Sequence, residues 1–99
     1  MSSPQPTALI TGQNLITIGA FRALHRQRLH KKIALVGFDD FLLADLLDPG
    51  ITVIAQDPGA IGRTAAGILF RRLDGDGAPF HKHIVRTLMI KRGSGEIRP

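Results

Sequence analysis

The chain has 99 residues, 43% of them hydrophobic, with a net charge of +5 and no cysteine, tryptophan or tyrosine. That length allows one aliphatic core burying about two-thirds of the unfolded surface, and the absence of cysteine excludes a disulfide framework and thiolate chemistry. No apolar run approaches the ~20 residues of a membrane span, and residues 1–7 (MSSPQPT) lack the charged and apolar parts of a signal peptide, so a cytoplasmic protein with no membrane partner is expected.

In chain order, two periodicities alternate. Residues 1–7 read as a disordered segment, and Ala8 to Thr11 as a short apolar strand stopped by Gly12. Asn14 to about Leu29 reads as a helix with Ile16, Ala20, Ala23, Leu24 and Gln27 on one stripe, and Leu15, Ile18 and Phe21 add apolar area beside it. Ile33 to Gly37 is a second strand, continuous and β-branched, as in a parallel sheet buried on both faces. Phe41 to Leu47 reads as one or two helical turns, broken by Asp48-Pro49-Gly50, and Ile51 to Ala55 as a third strand. Asp57-Pro58 has the pattern of an N-cap and first helical residue, opening a helix to about Leu73 with Ile61, Ala65, Ile68, Leu69 and Leu73 on one side. The run Asp74 to Pro79 is a stop and loop, Ile84 to Ile90 a further strand, and Arg92 to Gly95 its end, before a tail at 96–99. Strand–helix alternation of this kind predicts an α/β fold, a parallel sheet flanked by helices.

The most informative residues are Ile33 to Leu42, where an apolar strand ends at a glycine and delivers Asp39 and Asp40. Ligands bind at the carboxyl ends of such strands, and two acids there can accept hydrogen bonds from a sugar or nucleoside. The plainer reading is that Asp40 caps the following turn. The positive charge points less clearly to nucleic acid. Residues 33–62 contain five aspartates and no lysine or arginine, and Arg22, Arg26, Arg28, Lys31, Lys32, Arg71 and Arg72 gather near predicted helix ends, where cations complement the helix dipole. Other chemistry fades. His81 and His83 lack a third metal ligand, Asp74-Gly75-Asp76-Gly77 lacks the later oxygens of a calcium loop, and Gly59, Gly62 and Gly67 lack dinucleotide spacing. His25 and His30 read as solvated residues near a helix end. No cofactor, no metal and no enzymatic activity are expected.

The succession Pro6-Thr7-Ala8, Ile18 to Leu24 (IGAFRAL), and Ala34 to Asp40 (ALVGFDD) resembles the lac-repressor (LacI/GalR) family. The likeness continues through Asp48 to Val53 (DPGITV), Gln56-Asp57, Ile61 to Ala65 (IGRTA) and Thr87 to Ser94 (TLMIKRGS), so it spans residues 6 to 95. It implies a bacterial transcription regulator whose periplasmic-binding-protein-like effector domain has two subdomains, closes on a small ligand and dimerises. By this resemblance the chain is the C-terminal part of that domain. It crosses between subdomains near Gln56, places helix 58–73 in the other one and recrosses before the final strand. DNA would then be bound only through a helix-turn-helix outside these 99 residues.

The resemblance also implies site residues. Asp39 stands at the family's acid that bonds effector hydroxyls. Gln13 and Asn14 stand where an Asn-Asp pair is common, so the hydrogen-bonding pattern differs; a helix cap is the alternative role for Asn14. Asp57 lies at the crossing beside Pro58, where a stacking aromatic is usual, and its alternative role is the N-cap. Ile18, Phe21, Leu46 and Leu47 are the implied dimer contacts. A homodimer is expected, with strand or helix swapping as one route to it, because open sheet edges pair with other chains. The expected function is sensing of a sugar- or nucleoside-like effector and dimerisation. The alternatives are a fragment of a periplasmic sugar-binding protein and an α/β dimerisation module that binds nothing.

Overall fold

A computed structural model describes residues 5–79 and 81–99; residues 1–4, within the segment expected to be disordered, and residue 80 lie outside the described residues. The chain divides into two compact units, one built from residues up to Ala55 together with Leu88 onward, the other from Gln56–Thr87. The division falls at Gln56, where the resemblance put the crossing.

Unit 1 is a four-stranded sheet in sequence order: β1 (Ala8–Thr11), β2 (Ala34–Phe38), β3 (Thr52–Ala55) and β4 (Leu88–Ile90). β1, β2 and β3 are parallel, with Thr11 beside Gly37 and Gly37 beside Val53. The α/β class holds, and the wholly parallel sheet is corrected at its last strand. β4 is antiparallel to β3, with Leu88 beside Ala55 and Ile90 beside Val53. The chain leaves the sheet after Ala55 and re-enters beside the same residue, so it can only run back along β3. The strand expected over Ile84 to Ile90 shortens accordingly, and residues 81–87 have no regular structure.

The core lies on one face of this sheet. Alternate residues share a face, and Leu35, Val53, Ile33 and Ile51 are buried with Leu24 and Ala44, with Leu9, Ala55 and Ile90 packed against them. Helix α1 (Asn14–Arg26) covers β1 and β2 there. Its buried residues are Thr17 and Leu24, with Ala20 and Phe21 half-buried, whereas Ile16 is exposed. Ala20 and Leu24 of the expected stripe thus face the core, whereas Ile16, Ala23 and Gln27 do not, and Thr17 fits against the sheet at Gly37 where an isoleucine was expected. The helix also ends at Arg26 and not near Leu29. Arg28 adopts φ of 58°, and the Leu29 and Arg28 N–H groups donate to Leu24 and His25 carbonyls. This is a Schellman closure in which arginine replaces the usual glycine, so no sequence signal marked it.

Phe41 to Leu47 forms isolated turns, not a helix: Ala44 N–H bonds Phe41 O and Leu46 N–H bonds Leu43 O, and Leu43 has φ of 76°. A left-handed residue interrupts helical geometry. At the other end of the chain, Ser94–Glu96 forms a 3₁₀ turn, η1. Glu96 is thus part of the fold and not of a tail, and Thr7 is likewise tied in, its carbonyl accepting from Ala34 N–H at 3.0 Å.

Unit 2 contains helix α2 (Pro58–Leu73), with the bounds the sequence predicts. Asp57 is its N-cap, accepting from Ala60 N–H at 2.9 Å, and Pro58 occupies the first position. No α2 residue is buried. Ile61, Ala65 and Ile68 line an open cleft with Ile84, Val85, His81 and His83, and Leu69, Phe70 and Leu73 remain exposed.

Candidate functional site

The first two strands end side by side. Because Thr11 pairs with Gly37 in parallel register, the residues that follow each strand emerge at the same edge of the sheet. Gly12-Gln13-Asn14 leads from β1 into α1, and Phe38-Asp39-Asp40 leads out of β2. The structure therefore brings Gln13, Asn14 and Asp39 to one edge of unit 1. Asp57 belongs to unit 2.

Each side chain has a definite local setting. Gln13 is the N-cap position of α1 but makes no side-chain cap; its carbonyl accepts instead from Thr17 N–H at 2.9 Å and Thr17 Oγ1 at 3.0 Å. Asn14 is the first helical residue, so the capping role considered for it is corrected. Thr17 is fully buried and also hydrogen-bonds Thr11 Oγ1 at 2.6 Å, which fixes the start of α1 against the end of β1. Asp39 has φ of 76°, and its N–H donates to Ile54 O at 2.9 Å. Asp40 Oδ1 accepts from Phe41 N–H at 2.9 Å, but a cap receives the second or third N–H of a helix and no helix follows, so the capping reading of Asp40 is corrected.

Sequence reasoning missed the partner of Asp40. Arg92, two residues beyond β4, places Nη1 and Nη2 each 2.8 Å from a different Asp40 oxygen. The guanidinium hydrogen bonds hold the Asp40 carboxyl below the usual carboxylate range, against the opposing effect of partial burial, and the same contact raises Arg92. A signal was present: residues 33–62 contain no lysine or arginine, so an aspartate there that pairs with a cation must find it elsewhere in the chain.

Arg92 opens a wider clasp, also missed. Thr52 Oγ1 donates to the Glu96 carboxylate at 3.0 Å and accepts from Arg92 and Gly95 N–H at 3.1 and 3.0 Å. Ser94 Oγ donates to Leu35 O at 2.6 Å and accepts from Thr52 N–H at 2.8 Å. Thr52 and Ser94 are buried, and buried hydroxyls of this kind require such partners.

A second surface is apolar. Ile18, Phe21 and Leu47 line a groove of about 370 Å³ together with Arg22, Phe41, Leu42 and Leu43. Three of the four expected dimer contacts thus share one groove; Leu46 does not line it and is 72% exposed. Leu42 is 88% exposed. Beside it, Phe21, His25 and His30 form a ring cluster with His25 and His30 centroids 4.6 Å apart, so these histidines pack together and are not simply solvated. His81 and His83 lie 5.9 Å apart in an irregular segment. Among the described residues no three metal-ligating side chains gather, and no helix is long and apolar enough to cross a membrane.

Comparison with known proteins agrees with this architecture. The chain is 28% identical over 92 residues to the ribose operon repressor of Escherichia coli (strain K12), matching 91% of this chain and 28% of that protein. It is 37% identical over 95 residues to the HTH-type transcriptional regulator PtxS of Pseudomonas aeruginosa, again over 94% and 28% of the two chains. The crystal structure of the lac repressor dimer bound to operator and the anti-inducer ONPF superposes with a TM-score of 0.79 at 26% identity, over 91% of this chain and 28% of that one. The chain thus spans 28% of the length of these curated relatives, which are repressors and transcriptional regulators, not enzymes. Residues 1–95 match the periplasmic binding protein-like domain, and the chain belongs to that family, in its lac-repressor-type branch.

Proposed function

We propose that this chain is the C-terminal effector-sensing and dimerising segment of a cytoplasmic transcription regulator, with a sugar-like ligand bound at the edge shared by β1 and β2. The observation that carries the reading is the parallel register of Thr11 and Gly37, which sends Gln13, Asn14 and Asp39 to one edge. A carboxylate accepts from hydroxyls, and the two amide side chains both donate and accept, a set suited to a polyol. Asp57 has its Oδ1 engaged as the α2 cap, so the site is assigned to the other three residues. The name of the ribose operon repressor and the operator-bound lac repressor dimer support a sugar-responsive, dimeric regulator. The Ile18–Phe21–Leu47 groove is the dimer contact, and operator binding belongs to a helix-turn-helix outside these residues.

Thermal-shift titration with pentoses, hexoses and purines tests the site. Binding stabilises the fold by RT ln(1 + [L]/Kd), and Asp39→Ala is expected to abolish the shift of whichever sugar gives one. A sugar that stabilises Asp39→Ala as much as the parent protein refutes the assignment.

A further inference from the structure

Asp40 is committed to partners within unit 1. Both of its oxygens receive the Arg92 guanidinium, and Oδ1 also accepts from Phe41 N–H. Arg92 Nη1 in turn donates to Ile51 O at 3.1 Å. A fork-to-fork pair fixes the plane and direction of the carboxylate, not only its distance. Asp39 immediately precedes this anchored residue and has a left-handed backbone, a conformation that persists only where the surroundings impose it. Its own N–H is held by Ile54 O on β3. The peptide carrying Asp39 is therefore held at two points, by β3 on one side and by the Arg92–Asp40 pair on the other.

We infer that Arg92 is the positioning residue of the effector site, setting the direction in which Asp39 presents its carboxylate without itself touching the effector. The inference rests on the reading of Asp39 as the effector acid. Lysine cannot fill the role, because a point charge lacks the planar fork that holds two oxygens at once. The neighbouring Lys91 is exposed and serves as the control position.

The test uses the 99-residue chain as parent protein, Arg92→Lys and Lys91→Ala, with D-ribose as the probe. Amide hydrogen exchange of Asp39 is read by NMR without sugar, with the Ala34 amide, bonded to Thr7 O, as an internal reference; ribose affinity is read by calorimetry. In Arg92→Lys the Asp39 amide is expected to exchange about tenfold faster or more while Ala34 is unchanged, and ribose affinity to fall by about tenfold. Lys91→Ala is expected to change neither. Asp40→Asn, which removes the pair from its other side, is expected to repeat the Arg92→Lys pattern and serves if that variant fails to fold. An Asp39 amide equally protected in both variants, or ribose affinity unchanged despite faster exchange, overturns the inference. If the parent protein binds none of the sugars tested, the proposed function fails, while Asp39 exchange still decides whether Arg92 sets that residue.

Discussion

Gly37 leaves room for Thr17: a Cβ added to Gly37 would stand 2.6 Å from Thr17 Oγ1 and 2.8 Å from its Cγ2. The contact joins α1 to β2 directly beneath the edge that carries Asn14 and Asp39. Gly37→Ala must displace a buried side chain that is itself bonded to Thr11 and Gln13. We expect a loss of roughly 1–3 kcal/mol, measured as a lower urea midpoint at unchanged slope. The double variant with Thr17→Ala is expected to lose less than the sum of the two single changes, since both act on one contact.

Ser94→Ala is expected to be the most damaging conservative change near the C-terminus. Its hydroxyl serves Leu35 O and Thr52 N–H, both in the sheet. Removing it strands one acceptor and one donor away from water, at about 1–3 kcal/mol for each unsatisfied group. Equilibrium urea unfolding checks this, with the equally conservative but exposed Lys91→Arg as reference; equal midpoints for the two variants contradict it.

The Asp40–Arg92 pair gives a pH dependence of defined sign. The folded-state pKa of Asp40 is depressed, so its contribution is fully present above the unfolded value of about 3.9 and is lost as pH falls through the folded value. Arg92 stays charged throughout this range. Asp40→Asn should therefore be less stable than the parent protein at pH 6, by about 1 kcal/mol or less because the carboxylate is 37% exposed. The difference should shrink steadily below pH 4. Parallel thermal melts from pH 6 to pH 2.5 read it directly.

Self-association should depend on the apolar groove. Leu47→Asp places a charge among Ile18, Phe21 and Phe41 and is expected to shift sedimentation equilibrium to monomer, weakening the dimer by about tenfold or more. A parent protein that is monomeric at micromolar concentration contradicts the assignment.

What the sequence made legible follows the strength of its local signals. β1, β3 and α2 were found almost to the residue, because Gly12, Pro49-Gly50, Asp57-Pro58 and Asp74-Gly75 punctuate them. The end of α1 was missed because Arg28 takes the left-handed position that glycine usually announces. The Phe41–Leu47 segment was misread for the same reason, Leu43 being left-handed in a run of helix-favouring leucines. Asp39 was legible as a strand-end acid, whereas the Arg92–Asp40 pair spans 52 positions and leaves no local pattern. The antiparallel return of β4 was invisible for a related reason: strand direction depends on where an excursion of residues 56–87 delivers the chain back.

That excursion has a consequence for biosynthesis. Unit 1 is assembled from residues on both sides of unit 2, and the groups that satisfy Leu35 and Thr52 arrive only with Ser94 and Glu96. During translation β1, β2 and β3 leave the ribosome first, yet their buried polar groups must wait for residues made more than thirty positions later. Until then the nascent sheet has an open edge beside β3, the kind of edge that pairs with other chains. Closure of unit 1 is thus timed by the emergence of the Arg92–Glu96 segment, and ribosomes stalled before it should carry a chain that is protease-sensitive and prone to chaperone capture.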